Sequence, residues 1–112
     1  MIRIDSIWMS VAPCDMRSGM DTLMNQIIAV FGAAHAHNAY LFANRSANRM
    51  KVIVRDGFGI WLCSRRLHKG SFNWIKSPDS TATLTLSTEQ FNALIVGLPW
   101  QRLEQYSNIQ CL

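Results

Sequence analysis

Residues 50–65 read Met50-Lys51-Val52-Ile53-Val54-Arg55-Asp56-Gly57-Phe58-Gly59-Ile60-Trp61-Leu62-Cys63-Ser64-Arg65. Met50 to Arg55 and Phe58 to Arg65 are β-prone runs on either side of Asp56-Gly57, a dipeptide suited to a type I′ hairpin turn because both central residues take positive φ. A two-residue loop sets Arg55 opposite Phe58, Ile53 opposite Ile60, Lys51 opposite Leu62 and Arg49 opposite Ser64 on one face. The other face carries Val54, Val52 and Met50 opposite Gly59, Trp61 and Cys63. That second face is apolar throughout and is expected to pack on the first helix. The first is expected to be a basic sheet surface, with Ile53, Ile60, Leu62 and Phe58 among its charges.

The flanking sequence supplies partners for this hairpin. Ile7, Met9 and Val11 alternate with Trp8 and Ser10 until Pro13, the period of a half-buried strand. Met20, Leu23, Met24, Ile27, Ile28 and Phe31 then fall on one helical stripe, with Ser18 and Asp21 as a capping pair and Gly32 as the stop. Ala39 to Ala43 predicts a short buried strand, followed by a polar turn from Asn44 to Asn48. Residues 67–82 form a polar connection containing Gly70, Phe72, Trp74 and Pro78. Leu84 and Leu86 alternate with Thr83 and Thr85 in a further strand. Ser87 with Gln90 is a capping-box signature for a last helix bearing Phe91, Leu94, Ile95 and Leu98, closed near Gly97 and Pro99. The expected fold class is α+β: an antiparallel β-sheet with a central hairpin, packed against about two α-helices over about Met20 to Phe31 and about Thr88 to Val96.

Composition narrows what such a domain can be. The chain has 112 residues, 49% hydrophobic and 16% charged, enough for one core but not for a separate substrate domain. One domain over residues 1–112 is expected, its core within about 7–100 and its tail after Leu103 polar. No apolar run approaches a membrane span, and the N-terminus, with Asp5 soon after Met1, lacks a cationic region leading into an apolar block and a small-residue cleavage site, so a cytoplasmic protein without a membrane partner is expected. Cys14, Cys63 and Cys111 are odd in number and scattered, which suits a reducing compartment and neither a disulfide framework nor a zinc site.

Charge is unevenly placed. The net value is +4, yet residues 45–76 hold eight cations against Asp56 alone, a local +7 that leaves −3 for the rest. The middle of the chain is where a polyanion would bind.

Several phrases, in order, carry a resemblance. They are Asp15-Met16-Arg17 with Gly19 and Asp21, Leu41-Phe42 before Asn44-Arg45, and Arg49-Met50-Lys51-Val52. Asp56-Gly57-Phe58-Gly59 with Trp61, Arg66-Leu67 with Gly70, and Phe72 with Trp74 complete the series. Together, over roughly Ile7 to Trp100, they resemble the TnpB-type accessory proteins encoded beside the transposase in insertion sequences of the sixty-six family, which are unrelated to the RNA-guided nuclease that shares the TnpB name. Ser46 stands where that family often has a second Arg, and Ile75 where it often has Pro. The resemblance implies an accessory part in transposition of a mobile genetic element, a form of DNA recombination, with the transposase of the same element as a partner.

Catalysis is not expected of the chain itself. A transposase site gathers three carboxylates around two metal ions, whereas of seven carboxylates here Asp21 and Glu89 open helices and Asp56 makes a turn. There is no Gly-rich phosphate loop followed by Lys and Ser or Thr, and no cofactor or metal is expected. His35 and His37, two apart, would point the same way on an extended segment but lack a third ligand, and solvent or loop positions explain them more simply. Cys63 reads as a small core residue.

The candidate contacts are therefore non-catalytic. Arg45, Arg49, Lys51, Arg55, Arg65, Arg66 and Lys69 are the expected nucleic-acid-binding residues, with DNA bound weakly and without sequence specificity. Phe58, Phe72 and Trp74 are candidates for base stacking or a partner contact. Asp15 and Arg17, just before a helix, are a candidate partner or phosphate anchor, and the plainer reading is an ion pair that fixes the turn. The rival class is a protein-interaction module, in which the apolar residues of the hairpin face dock on the transposase or on another copy in a homo-oligomer.

Overall fold

The computed structural model describes residues 3–76 and 83–101. Strands β1 (Ser6–Ser10), β2 (Asn38–Ala43), β3 (Arg49–Arg55), β4 (Ile60–Arg66) and β5 (Thr83–Leu86) form one sheet in the order β4-β3-β2-β1-β5. Helix α1 (Met20–Phe31) links β1 to β2, and α2 (Thr88–Ile95) follows β5. The α+β class is as the sequence predicts, with one difference. Because α1 carries the chain back across the sheet, β2 runs parallel to β1, and the other three pairings are antiparallel.

Both faces of the sheet are covered. Leu23 and Ile27 of α1 pack with Tyr40, Phe42 and Ile53, and Trp8 and Phe31 meet edge to face at 5.7 Å. On the opposite face Ala93 and Leu94 of α2 pack with Ile7, Met9, Leu41, Met50 and Val54. Central strands in such a sandwich must be apolar on both sides, and the burial of five successive residues, Ala39 to Ala43, meets that requirement.

This corrects the expected packing of the hairpin. The mixed face, not the apolar one, lies against α1, and Ile53 is completely buried there. The apolar face of β3 packs instead on α2 and the loop after β4. The hairpin register also differs: Arg55 pairs with Ile60, not Phe58, because four residues form the turn. The Asp56 carboxylate accepts from the N–H groups of Phe58 and Gly59, each at 2.8 Å, and from Trp61 Nε1 at 2.9 Å. Those bonds close a side-chain-capped turn in which Gly57 needs no positive φ. The slip is two residues, so every strand residue keeps its face.

Helix termini divide in the same way. Ser87 and Gln90 form the predicted capping box, and Gly32 ends α1 at φ 84°. The N-cap of α1 is Gly19 with no side-chain cap, so Ser18 and Asp21 do not play the expected part. Ile28 is 51% exposed, on the flank of the stripe whose centre is Leu23 and Ile27. Cys63 is exposed, not core, on the terminal strand of the sheet order. Residues 36 and 37 form a turn with His37 at φ 62°, so the extended geometry supposed for His35 and His37 is absent. The tail after Leu103 lies outside the described residues.

A cationic end of the sheet as candidate nucleic-acid interface

The carboxyl ends of β1 and β2 fall at the same end of the sheet as the start of β3 and the finish of β4. That topology gathers the turn at residues 44–48, the loop after β4 and the chain leading into α1. Asn44 shapes the turn: its Oδ1 accepts from the N–H groups of Asn48 and Arg49 at 3.1 and 3.2 Å, while Nδ2 donates to Asn48 Oδ1 at 2.6 Å. With the polar interior of the turn so satisfied, Arg45 and Ser46 project into solvent.

Next to the turn, Arg49 and Arg66 are direct cross-strand partners and both are exposed. A groove of about 420 Å³ lined by Met16, Arg49, Lys51, Ser64, Arg65 and Arg66, together with Met50, runs across this corner. Lys69 is exposed in the bend that follows β4. Among the described residues the ion pairs are Arg3 with Asp5 and Arg17 with Asp15, so none of these cations has a carboxylate partner there. Like charges directly opposite in a ladder repel. The corner therefore holds a concentration of positive charge that no carboxylate among the described residues neutralises.

The structure divides the other expected contacts. Lys51 Nζ donates to the carbonyls of Met16 and Ser18 at 2.7 and 2.8 Å, holding the entry of α1 onto the sheet. Arg55 donates to the Ala34 carbonyl at 2.8 Å at the far end of the strand, away from the cationic corner. Arg65 lies on the α2 side, where its Nε donates to the Ile95 carbonyl at the end of that helix, a favourable place for a cation. Arg45, Arg49, Arg66 and Lys69 lie at this end of the sheet, exposed and without ion pairs among the described residues. Lys76, counted in the charge of the segment but not singled out from sequence, joins Arg45 on the rim of a second groove of about 610 Å³.

The aromatics are corrected more sharply. Phe72 is 2% exposed within the α2-side core, and its N–H donates to the Ala47 carbonyl. Trp74 is half-buried, its Nε1 donating to the Ser10 carbonyl at 2.8 Å. An eight-residue α2 leaves part of the sheet for these rings to cover, and both line the groove that holds Arg45 and Lys76, Phe72 almost wholly buried and Trp74 in part. Phe58 stands fully exposed at the hairpin tip, at the other end of the sheet from the cationic corner.

Asp15 and Arg17 meet each other. Arg17 Nη2 lies 2.7 Å from Asp15 Oδ2, Nε donates to the same carboxylate, and the Arg17 backbone N–H donates to Oδ1 at 2.8 Å. These bonds hold the Asp15 carboxyl at about 2, below its ordinary 3.8. Burial pushes the adjacent Cys14 thiol up.

Fold and corner together define a class: a small α+β sheet domain with helices on both faces and a cationic end without ion pairs among the described residues. The sequence profile of the family described as IS66 Orf2 like protein matches residues 5–105. The chain belongs to that family and is an accessory protein of an insertion sequence. It is 30% identical over 104 residues to the uncharacterized protein y4jC of Sinorhizobium fredii (strain NBRC 101917 / NGR234), spanning 88% of this chain and 84% of that one. A second protein of the same strain, the uncharacterized y4hO, is 28% identical over 100 residues, spanning 88% and 85%. No solved structure matches. Among the described residues no helix is long and apolar enough to cross a membrane.

Proposed function

We propose that the chain serves transposition as a cytoplasmic, non-catalytic DNA-binding accessory, holding duplex phosphates at the corner formed by Arg45, Arg49, Arg66 and Lys69. The observation that carries this is the Arg49–Arg66 cross-strand pair, with no carboxylate beside it among the described residues. Two guanidiniums side by side oppose folding, and an anion shared between them removes the opposition. Phosphate contacts of this kind position a protein without reading sequence, so binding is weak and alike for element-end and unrelated DNA. Of the five described carboxylates, Asp5 pairs with Arg3, Asp15 with Arg17, Asp56 closes the hairpin turn, and Asp21 and Glu89 lie in the first turns of α1 and α2.

The second reading is a protein contact with the transposase of the same element, favoured by the exposed Phe58 at the hairpin tip. One experiment separates the two: binding of labelled duplexes, and retention of the transposase, by the parent chain and by a variant with Arg45, Arg49 and Arg66 changed to Ala. Loss of duplex binding with the transposase retained supports the DNA reading. Undiminished duplex binding with the transposase no longer retained assigns the corner to a protein interface instead.

A further inference from the structure

β4 has β3 on its inner side and, among the described residues, no strand on its outer side. The register fixes which backbone groups point outward. Bonds from the Asp56 N–H to the Gly59 carbonyl and from the Leu67 N–H to the Asn48 carbonyl mark those two pairs as hydrogen-bonded, and such pairs alternate along an antiparallel ladder. Trp61, Cys63 and Arg65 therefore turn their N–H and C=O groups toward β3, and Ile60, Leu62, Ser64 and Arg66 turn theirs outward. The strand is seven residues long without Pro, Gly or bulge, and Ile60 and Trp61 are exposed on it. Among the described residues the device that keeps this edge from pairing is charge, and that charge sits at one end.

We propose that β4 pairs antiparallel with β4 of a second copy of this chain, centred on Cys63. Laid along its own reverse, Ile60-Trp61-Leu62-Cys63-Ser64-Arg65-Arg66 sets Ile60 opposite Arg66, Trp61 opposite Arg65, Leu62 opposite Ser64 and Cys63 opposite itself. No cation faces a cation in this arrangement, whereas parallel in-register pairing stacks Arg65 and Arg66 on their own copies. The outward-pointing residues meet one another as well: Ile60 pairs with Arg66 and Leu62 with Ser64, so the outer N–H and C=O groups are all used. Trp61 and Arg65 then oppose each other where a guanidinium can lie on the indole face.

The two-fold axis of such a pair stands perpendicular to the sheet. It makes a ten-stranded sheet from two five-stranded ones, with both copies of α1 on one side. The two Arg49–Arg66 corners then share a surface, separated along the strands by roughly 20 Å, six steps at strand rise.

Sedimentation velocity of the full chain tests this, with a mass of two chains expected. Ser64→Pro removes an outward N–H without touching the ladder to β3 and is expected to give one-chain mass with an unchanged circular dichroism spectrum. In the parent, Cys63 faces its copy at a narrow, non-hydrogen-bonded position, with Cα atoms about 4.5 Å apart and within disulfide reach. Diamide is therefore expected to give a covalent dimer that Cys63→Ser abolishes. A parent of one-chain mass up to its solubility limit overturns the proposal. So does a two-chain mass unmoved by Ser64→Pro and without cross-linking at Cys63.

Discussion

Arg49 and Lys51 lie two residues apart on one side of β3, and their head groups have different surroundings. The Lys51 ammonium is held by two carbonyls at the entry of α1, while Arg49 faces Arg66 and solvent. Lys51→Met is expected to lower stability by about 1.5–3 kcal/mol in a urea titration, the cost of removing a hydrogen bond from a charged group. It should leave the salt dependence of DNA binding unchanged. Arg49→Ala should do the reverse, flattening that dependence by about 0.9 in log–log slope while costing little stability. Asp15 offers a second check at this scale. Its folded value, about 2, lies below its ordinary 3.8, so its contribution to stability is present above pH 3.8 and lost as pH falls through about 2. Carboxyl NMR of the parent should titrate near 2, and Arg17→Ala should return the midpoint toward 3.8; an unmoved midpoint would contradict the role given to the ion pair.

Among the elements, α1 gives the clearest contrast. Ile27→Asp is expected to leave the protein unfolded, because it buries an unpaired charge between helix and sheet. Ile28→Asp, one residue on, should fold with a near-parental urea midpoint, since Ile28 faces solvent. At α2, Ser87→Ala should cost about 1 kcal/mol through loss of the capping box. Both helices, all five strands and the capping box were legible because each is written in local periodicity or in residues three apart. The hairpin register was not, since an Asp carboxylate can close a turn by its own hydrogen bonds where Asp-Gly alone suggests a two-residue loop. The side of the sheet that α1 covers was not legible either: both faces of β3 are apolar enough to be buried, and local sequence does not say which meets which helix. The same limit applied to the candidate site. The run of cations located the basic segment, but that Lys51 and Arg55 serve distant carbonyls, and that Phe72 and Trp74 fill the space beside a short α2, depends on residues far apart in sequence.

For the whole molecule, charge is sorted by the direction of the strands. Arg45, Arg49, Arg66 and Lys69 lie at one end of the sheet, and the hairpin tip with Phe58 lies at the other. A protein so polarised would meet a polyanion end-on, and a pair joined through β4 would present two such corners on one surface. Phosphate binding at this end is open to a thermodynamic test. Its most direct measurement is the slope of log binding constant against log salt concentration for duplex DNA, taken for the parent, for the Arg45, Arg49 and Arg66 triple alanine variant, and for Arg55→Ala. The triple-variant slope is expected to be flatter by up to about 2.7, at about 0.9 for each phosphate no longer neutralised, with Arg55→Ala matching the parent. Equal slopes for the parent and the triple variant, or a flattening with Arg55→Ala alone, would contradict it.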